Sequence, residues 1–178
     1  MKNEPILDLF LLQKSQKLYN LNKKLKPQVQ KLIPVIFCHG GGFVFFIPNF
    51  VCYNTFCRRL ARKCHALANS VHYRRELLTT LEHKFLVTYD DCFTALEWLQ
   101  SGQATQYLPW SIDPPCTDLS RVYLCSDSAG GNIVHHIAIQ ASETDISSLC
   151  IKGLMLLSPL FGGQERIPAG IRVRNVPV

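Results

Sequence analysis

Ser128 is the residue whose setting points most directly to chemistry. It follows the apolar run Arg121–Cys125 and precedes Ala129 and two glycines, which predicts a turn between a strand and a helix. A serine hydroxyl becomes a nucleophile only when a base takes its proton and hydrogen-bond donors stabilise the oxyanion. On such a turn the hydroxyl projects above the sheet, and the Ala129 amide at the helix N-terminus faces the developing negative charge. The turn therefore predicts attack by Ser128 on a carbonyl carbon.

The residues beside Ser128 must be small, because the strand and helix backbones approach each other closely at such a turn. Gly130 meets this requirement, whereas Ser126 meets it only in part. A serine before two glycines also fits a second interpretation, in which its side chain is a plain helix N-cap without catalytic use. The residues around Ser128 leave both interpretations open.

A second turn with chemical potential lies upstream, where Gly40, Gly41 and Gly42 follow the apolar run Ile33–Cys38 and His39. Consecutive glycines let neighbouring backbone amides point inward without a clash from side chains, which is how an oxyanion hole is built. Taken alone, a glycine run is an ordinary loop. Together with Ser128, it matches the serine hydrolase arrangement, in which one donor follows the nucleophile and the others come from an earlier loop.

The elements that must position these turns alternate along the chain. Apolar runs predict four strands, and apolar residues at helical spacing predict three helices, one of them beginning at Asp90 and Asp91. The strands are Ile33–Cys38, Leu67–Tyr73, Arg121–Cys125 and Ile151–Leu157, and the other helices cover residues 53–64 and 132–141, with a proline-containing loop over residues 101–120. This alternation predicts a doubly wound, mostly parallel α/β sheet, whose ligands bind beyond the carboxyl ends of the strands.

The first 31 residues form a basic segment, with seven lysines and two acidic residues. Apolar residues from Ile6 to Leu25 recur at helical spacing, which predicts a solvated amphipathic helix in an N-terminal arm, residues 1–31. Lysines alone, without arginine or an aromatic stacking pattern, do not indicate nucleic-acid binding. The arm also has no apolar core followed by a small-residue cleavage site, so it does not resemble a signal peptide.

Composition excludes several classes of protein. The chain has 178 residues, of which 47% are hydrophobic and 18% are charged, with a net charge of +6, an ordinary globular composition. No run approaches the roughly 18 apolar residues of a membrane span, so no membrane association is expected. The eight cysteines are scattered, without zinc-ligand spacing, which predicts reduced thiols, no metal site and a cytoplasmic location.

The motifs closely resemble those of plant carboxylesterases in the hormone-sensitive-lipase-like branch of the α/β-hydrolases. The resemblance covers residues 32–165, leaving residues 166–178 as an unmatched tail, and rests on PVIFCHGGGF (Pro34–Phe43), DLSRVYLCSDSAGGNIVHH (Asp118–His136) and IKGLMLLSPLFGG (Ile151–Gly163). It implies hydrolysis of small carboxylic esters through an acyl-enzyme, without a cofactor. It assigns Ser128 as the nucleophile and the amides of Gly40, Gly41 and Ala129 as the oxyanion hole.

By the same resemblance, His39 shapes the oxyanion loop, and Asp127 and Asp91 are structural, with Asp91 at a helix start. The triad acid and histidine of this family follow the serine. After Ser128 the only histidines are His135 and His136, on the helix that begins at the nucleophile. The resemblance therefore implies a domain incomplete at its C-terminus and an inactive or weakly active chain.

A second function on the same fold is a non-catalytic small-molecule binding protein, since some family members are hormone receptors. Receptor-type members typically carry serine as the third residue of the glycine run, where this chain has Gly42. Gly42 favours the esterase interpretation. The substrate and the oligomeric state are not predicted.

Overall fold

A computed structural model describes residues 6–10, 31–75, 84–103, 117–146 and 148–161. The described elements are five strands and three helices that largely alternate. They are β1 (Ile6–Phe10), β2 (Ile33–Cys38), α1 (Val51–Cys64), β3 (Ala66–His72), α2 (Lys84–Gln100), β4 (Val122–Asp127), α3 (Ser128–Glu143) and β5 (Ile151–Leu157).

The strands form one sheet in the order β1-β3-β2-β4-β5. Strands β3, β2, β4 and β5 are parallel neighbours, and β1 runs antiparallel to β3. The predicted mostly parallel sheet is therefore confirmed. Because β2 and β4 lie side by side, the turns that follow their carboxyl ends meet at the same edge of the sheet, with Cys38 paired to Ser126.

Helices cover both faces of the sheet, because alternate residues of the central strands point to opposite sides. On one face, Val35 and Phe37 of β2 pack against Tyr53, Cys57 and Ala61 of α1. On the other face, the alternate residues of the strands pack with α2 and α3 in a larger core. This core includes Ile36, Cys38, Leu96, Leu99, Leu124, Ile133 and Ile137. Two buried layers thus fix the sheet edge that carries both predicted turns.

The predicted helix from Ile6 to Leu25 is wrong in its first part. Ile6–Phe10 is a strand that pairs with β3, with Ile6 opposite His72 and Phe10 opposite Ala68. A short apolar run is compatible with both the helical and the strand repeat of apolar residues. The free edge of β3 offers hydrogen-bond partners for an extended backbone, which favours the strand. Residues 11–30 lie outside the described part of the chain, and the proposed boundary of the N-terminal arm stays a prediction.

The predicted start of the second helix is also wrong. α2 begins at Lys84, so Asp90 and Asp91 lie within the helix. Asp91 is instead stabilised by Arg74, which follows β3: the Arg74 amide donates to Oδ2 at 2.8 Å and Nη2 donates to Oδ1 at 2.7 Å. Asp91 therefore pairs with Arg74 instead of interacting with a helix N-terminus. These contacts agree with its structural interpretation.

Candidate active site

Ser128 lies at the sharpest backbone turn of the described site. β4 ends at Asp127 in an extended conformation, and α3 begins at Ser128, whose φ is +46°. Left-handed backbone is unfavourable for a residue with a Cβ, and such strained positions cluster at functional sites. The helix includes the serine itself and extends beyond residues 132–141 at both ends. This geometry is the strand–turn–helix corner that the sequence predicts.

Glycine is required on the helix side of this corner. A Cβ on Gly130 would lie 2.1 Å from the Cys38 carbonyl oxygen, and one on Gly131 would lie 2.6 Å from the Pro159 Cβ. The first turn of α3 thus packs directly on the end of β2 and on the segment that follows β5. Ser126, on the strand side, is buried, and its hydroxyl has no hydrogen-bond partner among the described residues.

The Ala129 amide has the position expected of an oxyanion donor. Ala129 is the second residue of α3, and the first amides of a helix have no partner within the helix. The Asp127 side chain makes no capping hydrogen bond to them. The positive end of the helix macrodipole adds to the attraction for an anion at this place.

The glycine turn after β2 also needs glycine for steric reasons. Gly41 has φ +109° and Gly42 has φ +60°, and a Cβ on Gly41 would lie 2.3 Å from the Phe45 carbonyl oxygen. The amides of Val44 and Phe45 donate to the Gly41 carbonyl oxygen at 3.2 and 2.8 Å, which closes the turn. Within the described ranges, no hydrogen bond is made to the Gly41 amide, which leaves it available as a donor.

Gly40 is joined to the corner through its backbone amide. Its amide donates to Asp127 Oδ1 at 2.8 Å. The amide therefore already has an acceptor in this structure, which argues against its expected role as an oxyanion donor. A Cβ on Gly40 would lie 2.7 Å from Asp127 Oδ2, so glycine is what allows the loop and the corner to approach.

Asp127 joins three parts of the site. Besides the Gly40 amide, its carboxylate accepts a hydrogen bond from the Tyr53 hydroxyl at 3.1 Å. Burial and the neighbouring Asp127 carboxylate raise the pKa of Tyr53, so its hydroxyl keeps the proton that it donates. The structural interpretation of Asp127 agrees with these contacts. Sequence reasoning missed Tyr53, although a tyrosine on the buried face of a helix signals a hydroxyl that needs a partner.

His39 is a buried part of the loop and has no contact expected of a general base. Its Nδ1 lies 2.7 Å from the Gly40 carbonyl oxygen, and its ring stacks on Tyr73 with a centroid distance of 4.3 Å. The Tyr73 hydroxyl donates to the His39 carbonyl oxygen at 2.7 Å. Burial lowers the pKa of His39 to about 4, so the ring is neutral near pH 7. These contacts agree with a histidine that shapes the loop.

His135 and His136 are not close to the serine hydroxyl. They follow Ser128 by two turns of α3, about 10 Å along the helix axis. The His135 ring packs on Phe161 and the His136 ring on Tyr89, with centroid distances of 5.1 and 4.8 Å. Both histidines therefore have structural neighbours and are not placed to accept the Ser128 proton.

The acidic residues after Ser128 are equally remote from it. Glu143 is the last residue of α3, about 22 Å from Ser128 along the helix, and Asp145 follows it. Glu165 lies outside the described residues. Within the described part of the chain, none of these histidines and acidic residues is therefore placed beside Ser128 as a general base.

The segment after β5 returns to the nucleophile corner. The Leu160 amide donates to the Ser128 carbonyl oxygen at 2.8 Å, and Asn132 Nδ2 donates to the Leu160 carbonyl oxygen at 3.1 Å. The Tyr89 hydroxyl of α2 donates in turn to Asn132 Oδ1 at 2.7 Å. This chain of hydrogen bonds fixes the first turn of α3 from outside. It links residues from distant parts of the sequence, so no local motif predicts it.

Three further observations concern metal ligands, the cysteines and membrane spans. The described residues contain no group of three or more His, Cys, Asp or Glu side chains placed to hold a metal ion. Seven of the eight cysteines lie in the described ranges, and all seven are free thiols, of which Cys38, Cys57, Cys92 and Cys125 are buried. Of the helices in those ranges, none is both long and apolar enough to cross a membrane.

Comparison with known proteins places the chain among esterase-like folds. The sequence profile of a family described as "alpha/beta hydrolase fold" matches residues 35–173. The gibberellin receptor GID1B of Arabidopsis thaliana is 40% identical over 143 residues, which cover 76% of this chain and 34% of the receptor. Carboxylesterase 20 of the same plant is 35% identical over 148 residues, covering 82% of this chain and 42% of that protein.

A solved structure supports the same relationship. A hyperthermophilic esterase from the archaeon Pyrobaculum calidifontis is 30% identical and superposes with a TM-score of 0.53, covering 67% of this chain and 34% of the esterase. The chain therefore spans from about a third to under half of the length of these proteins.

Proposed function

Because the chain belongs to the α/β hydrolase fold family, we propose that it carries the nucleophile and the oxyanion donors of a serine carboxylesterase. The observation that carries this proposal is the left-handed Ser128 between β4 and α3, directly beside the turn of Gly41. An N-cap serine has extended backbone and precedes its helix. Ser128 has φ +46° and lies within the helix, so the plain N-cap interpretation does not fit it.

The proposed reaction uses this geometry in two steps. The Ser128 oxygen forms a bond to the carbonyl carbon of a small carboxylic ester and loses its proton to a base, and the alcohol leaves with a proton. Water then attacks the acyl-enzyme and releases the acid. In both steps the oxyanion accepts hydrogen bonds from the amides of Gly41 and Ala129, and Asp127 holds Gly40 so that the two donors keep their places.

Among the residues that the structure describes, no recognised general base lies beside Ser128. His39 is buried, neutral and engaged with Gly40, and no histidine follows His136. An enzyme without one triad member retains roughly 10³- to 10⁴-fold catalysis over water through its oxyanion hole and substrate binding. We therefore expect weak activity for this chain, and a strong response to an added base. No cofactor enters the proposal.

Non-catalytic ligand binding is the second candidate function. It is favoured by the 40% identity to GID1B, which is named a gibberellin receptor. Against it stands Gly42, which keeps the third glycine of the turn and has no atom within 4 Å of the position of an added Cβ. The seven free thiols support a further part of the proposal, a reducing compartment such as the cytoplasm.

Labelling with a fluorophosphonate tests the proposal, since this probe reacts with activated serines. We expect slow modification of Ser128 in the wild-type chain, faster modification when imidazole is added as an external base, and none in Ser128→Ala. Ser158→Ala is the matched control, because Ser158 also has φ +46° after a strand, and the described residues 159–161 that follow it are not helical. Absence of a Ser128 adduct with imidazole, in a chain that binds a small apolar ester, would favour the binding function.

A further inference from the structure

A cluster of exposed aromatic side chains follows the glycine turn. Phe45, Phe46 and Phe50 are 67%, 43% and 44% exposed, and Val51 beside them is 76% exposed. Isolated apolar residues on a surface need no explanation, but several exposed apolar residues within one short segment, two of them with their rings in contact, favour an interaction site. We call Phe45, Phe46 and Phe50 the phenylalanine cluster.

The phenylalanine cluster contacts the proposed oxyanion turn directly. A Cβ on Gly41 would lie 2.9 Å from Cδ2 of Phe46, so the Phe46 ring rests on the backbone that carries the proposed donor. Phe46 stacks on Phe50, with a centroid distance of 4.7 Å and an interplanar angle of 29°. A ligand held at the Gly41 amide therefore has aromatic surface within reach.

The cluster is also fixed relative to the nucleophile. Phe46 packs edge-on against Tyr53 at a centroid distance of 6.0 Å, and the Tyr53 hydroxyl donates to Asp127, which directly precedes Ser128. Phe46 has φ +67°, a strained conformation for a residue with a Cβ. The exposed Phe46 ring is thus held in a fixed position by its neighbours, as a ligand contact requires.

Space for a ligand is present beside the cluster. Phe50 and Val51 line a groove of about 740 Å³ that continues along α1 past Phe56 and Leu60. The groove is a broad, open depression along α1 rather than an enclosed cavity, and Phe50 is the member of the cluster that lines it. The groove is open to an apolar group that extends away from the glycine turn.

We propose that the phenylalanine cluster is the subsite for the apolar hydrocarbon group of the ester, so that this site selects aromatic over short-chain esters. The inference rests on the proposed function, because it places the ester carbonyl at the Gly41 amide. Two sources of the apolar group share this chemistry, the alcohol part and the acyl part of the ester. The isomers phenethyl acetate and ethyl phenylacetate distinguish them, since they differ only in which part carries the ring.

Binding of these two isomers and of ethyl acetate to the full chain, measured by saturation-transfer NMR titration, tests the proposal. We expect at least one isomer to bind about tenfold more tightly than ethyl acetate or better, since each buried methylene-sized group favours binding by a factor of about four. Phe45→Ser and Phe46→Leu should lose most of this preference. Met155→Ser is the matched control, because Met155 is 48% exposed on β5, away from the cluster, and it should keep the preference.

The outcomes separate the subsite from the hydrolase proposal. Phe45 is two-thirds exposed, so Phe45→Ser leaves the core intact, and thermal unfolding of each variant checks this. Equal binding of all three esters, or a preference that survives both phenylalanine substitutions, overturns the subsite even where the fluorophosphonate modifies Ser128. A preference that depends on the cluster, in a chain whose Ser128 is never modified, supports the subsite and overturns the hydrolase proposal.

Discussion

The Asp127 carboxylate accepts a hydrogen bond from the Gly40 amide at 2.8 Å, across 87 positions of sequence. It thereby ties the corner that carries Ser128 to the turn that carries Gly41. The Tyr53 hydroxyl donates to the second oxygen of the same carboxylate at 3.1 Å. The two halves of the proposed site are thus joined by one side chain.

Replacing Asp127 by alanine should destabilise the fold, because two partly buried donors lose their acceptor. Hydrogen bonds to charged groups contribute about 1.5 to 3 kcal/mol each, and urea unfolding should show a loss within that range or above it. Tyr53→Phe removes one of the two bonds and should have a smaller effect. Asp118→Ala is the control, since among the described residues the Asp118 side chain bonds only to the nearby Ser120 and Arg121 on the surface. Equal stability of Asp127→Ala and wild type would show that the hydrogen bonds to this carboxylate do not stabilise the fold.

Gly130→Ala should be strongly destabilising, because its Cβ would lie 2.1 Å from the Cys38 carbonyl oxygen. Relief requires α3 to move away from β2, and overpacking of this kind costs about 1 to 3 kcal/mol or more. Gly153→Ala is the matched control: its Cβ would meet only the Tyr123 ring at 3.5 Å, an ordinary contact. Thermal unfolding of the two variants compares them, and similar midpoints would contradict the close approach of α3 and β2.

Stability should fall as the pH is lowered from 6.5 towards 4, because of His39. Burial lowers its pKa from 6.5 to about 4, so between these values the unfolded chain binds a proton that the folded chain does not. The difference corresponds to roughly 3 kcal/mol lost by pH 4, with full stability from this group above pH 6.5. Urea unfolding at several pH values measures it. His39→Gln should flatten the profile in this window and the exposed control His136→Gln should not; identical profiles would refute the burial of a neutral His39.

Exposed apolar residues on β5 predict association of the chain. Leu154, Met155 and Leu157 are 40%, 48% and 45% exposed, and β5 is the edge of the described sheet. Unpaired apolar edges are templates for pairing with other chains. Sedimentation at rising concentration should show larger species, reduced by Met155→Lys with Leu157→Lys. Ile139→Lys, on the exposed side of α3, should leave association unchanged, and a monomer at all concentrations would refute the prediction.

Much of the fold is predictable because its strands are short apolar runs between glycine and proline signals. β2 and β5 have the predicted bounds, and β3 and β4 differ by one or two residues at each end. The start of α2 is not predictable from Asp90 and Asp91, because both lie within the helix and Asp91 pairs with Arg74 rather than with a helix N-terminus. β1 is missed since its pairing depends on the free edge of β3, which no local period reveals.

The site is predictable where a motif is local and unpredictable where contacts are distant. The corner at Ser128 and the turn at Gly41 follow from glycine spacing, and the structure has both. The engagement of the Gly40 amide by Asp127 does not follow from either motif, because it depends on how β2 and β4 pair. Which glycine amides remain as donors is therefore decided by tertiary structure.

The crystal structure of the chain after phosphonylation at Ser128 tests the central claim most directly. The phosphonyl oxygen of such an adduct stands where the oxyanion of the reaction would be. We predict that it accepts hydrogen bonds from the amides of Gly41 and Ala129 at about 2.7 to 3.1 Å, while the Gly40 amide stays on Asp127. A phosphonyl oxygen that points to solvent, or one bound by a Gly40 amide released from Asp127, would contradict this assignment of the oxyanion donors.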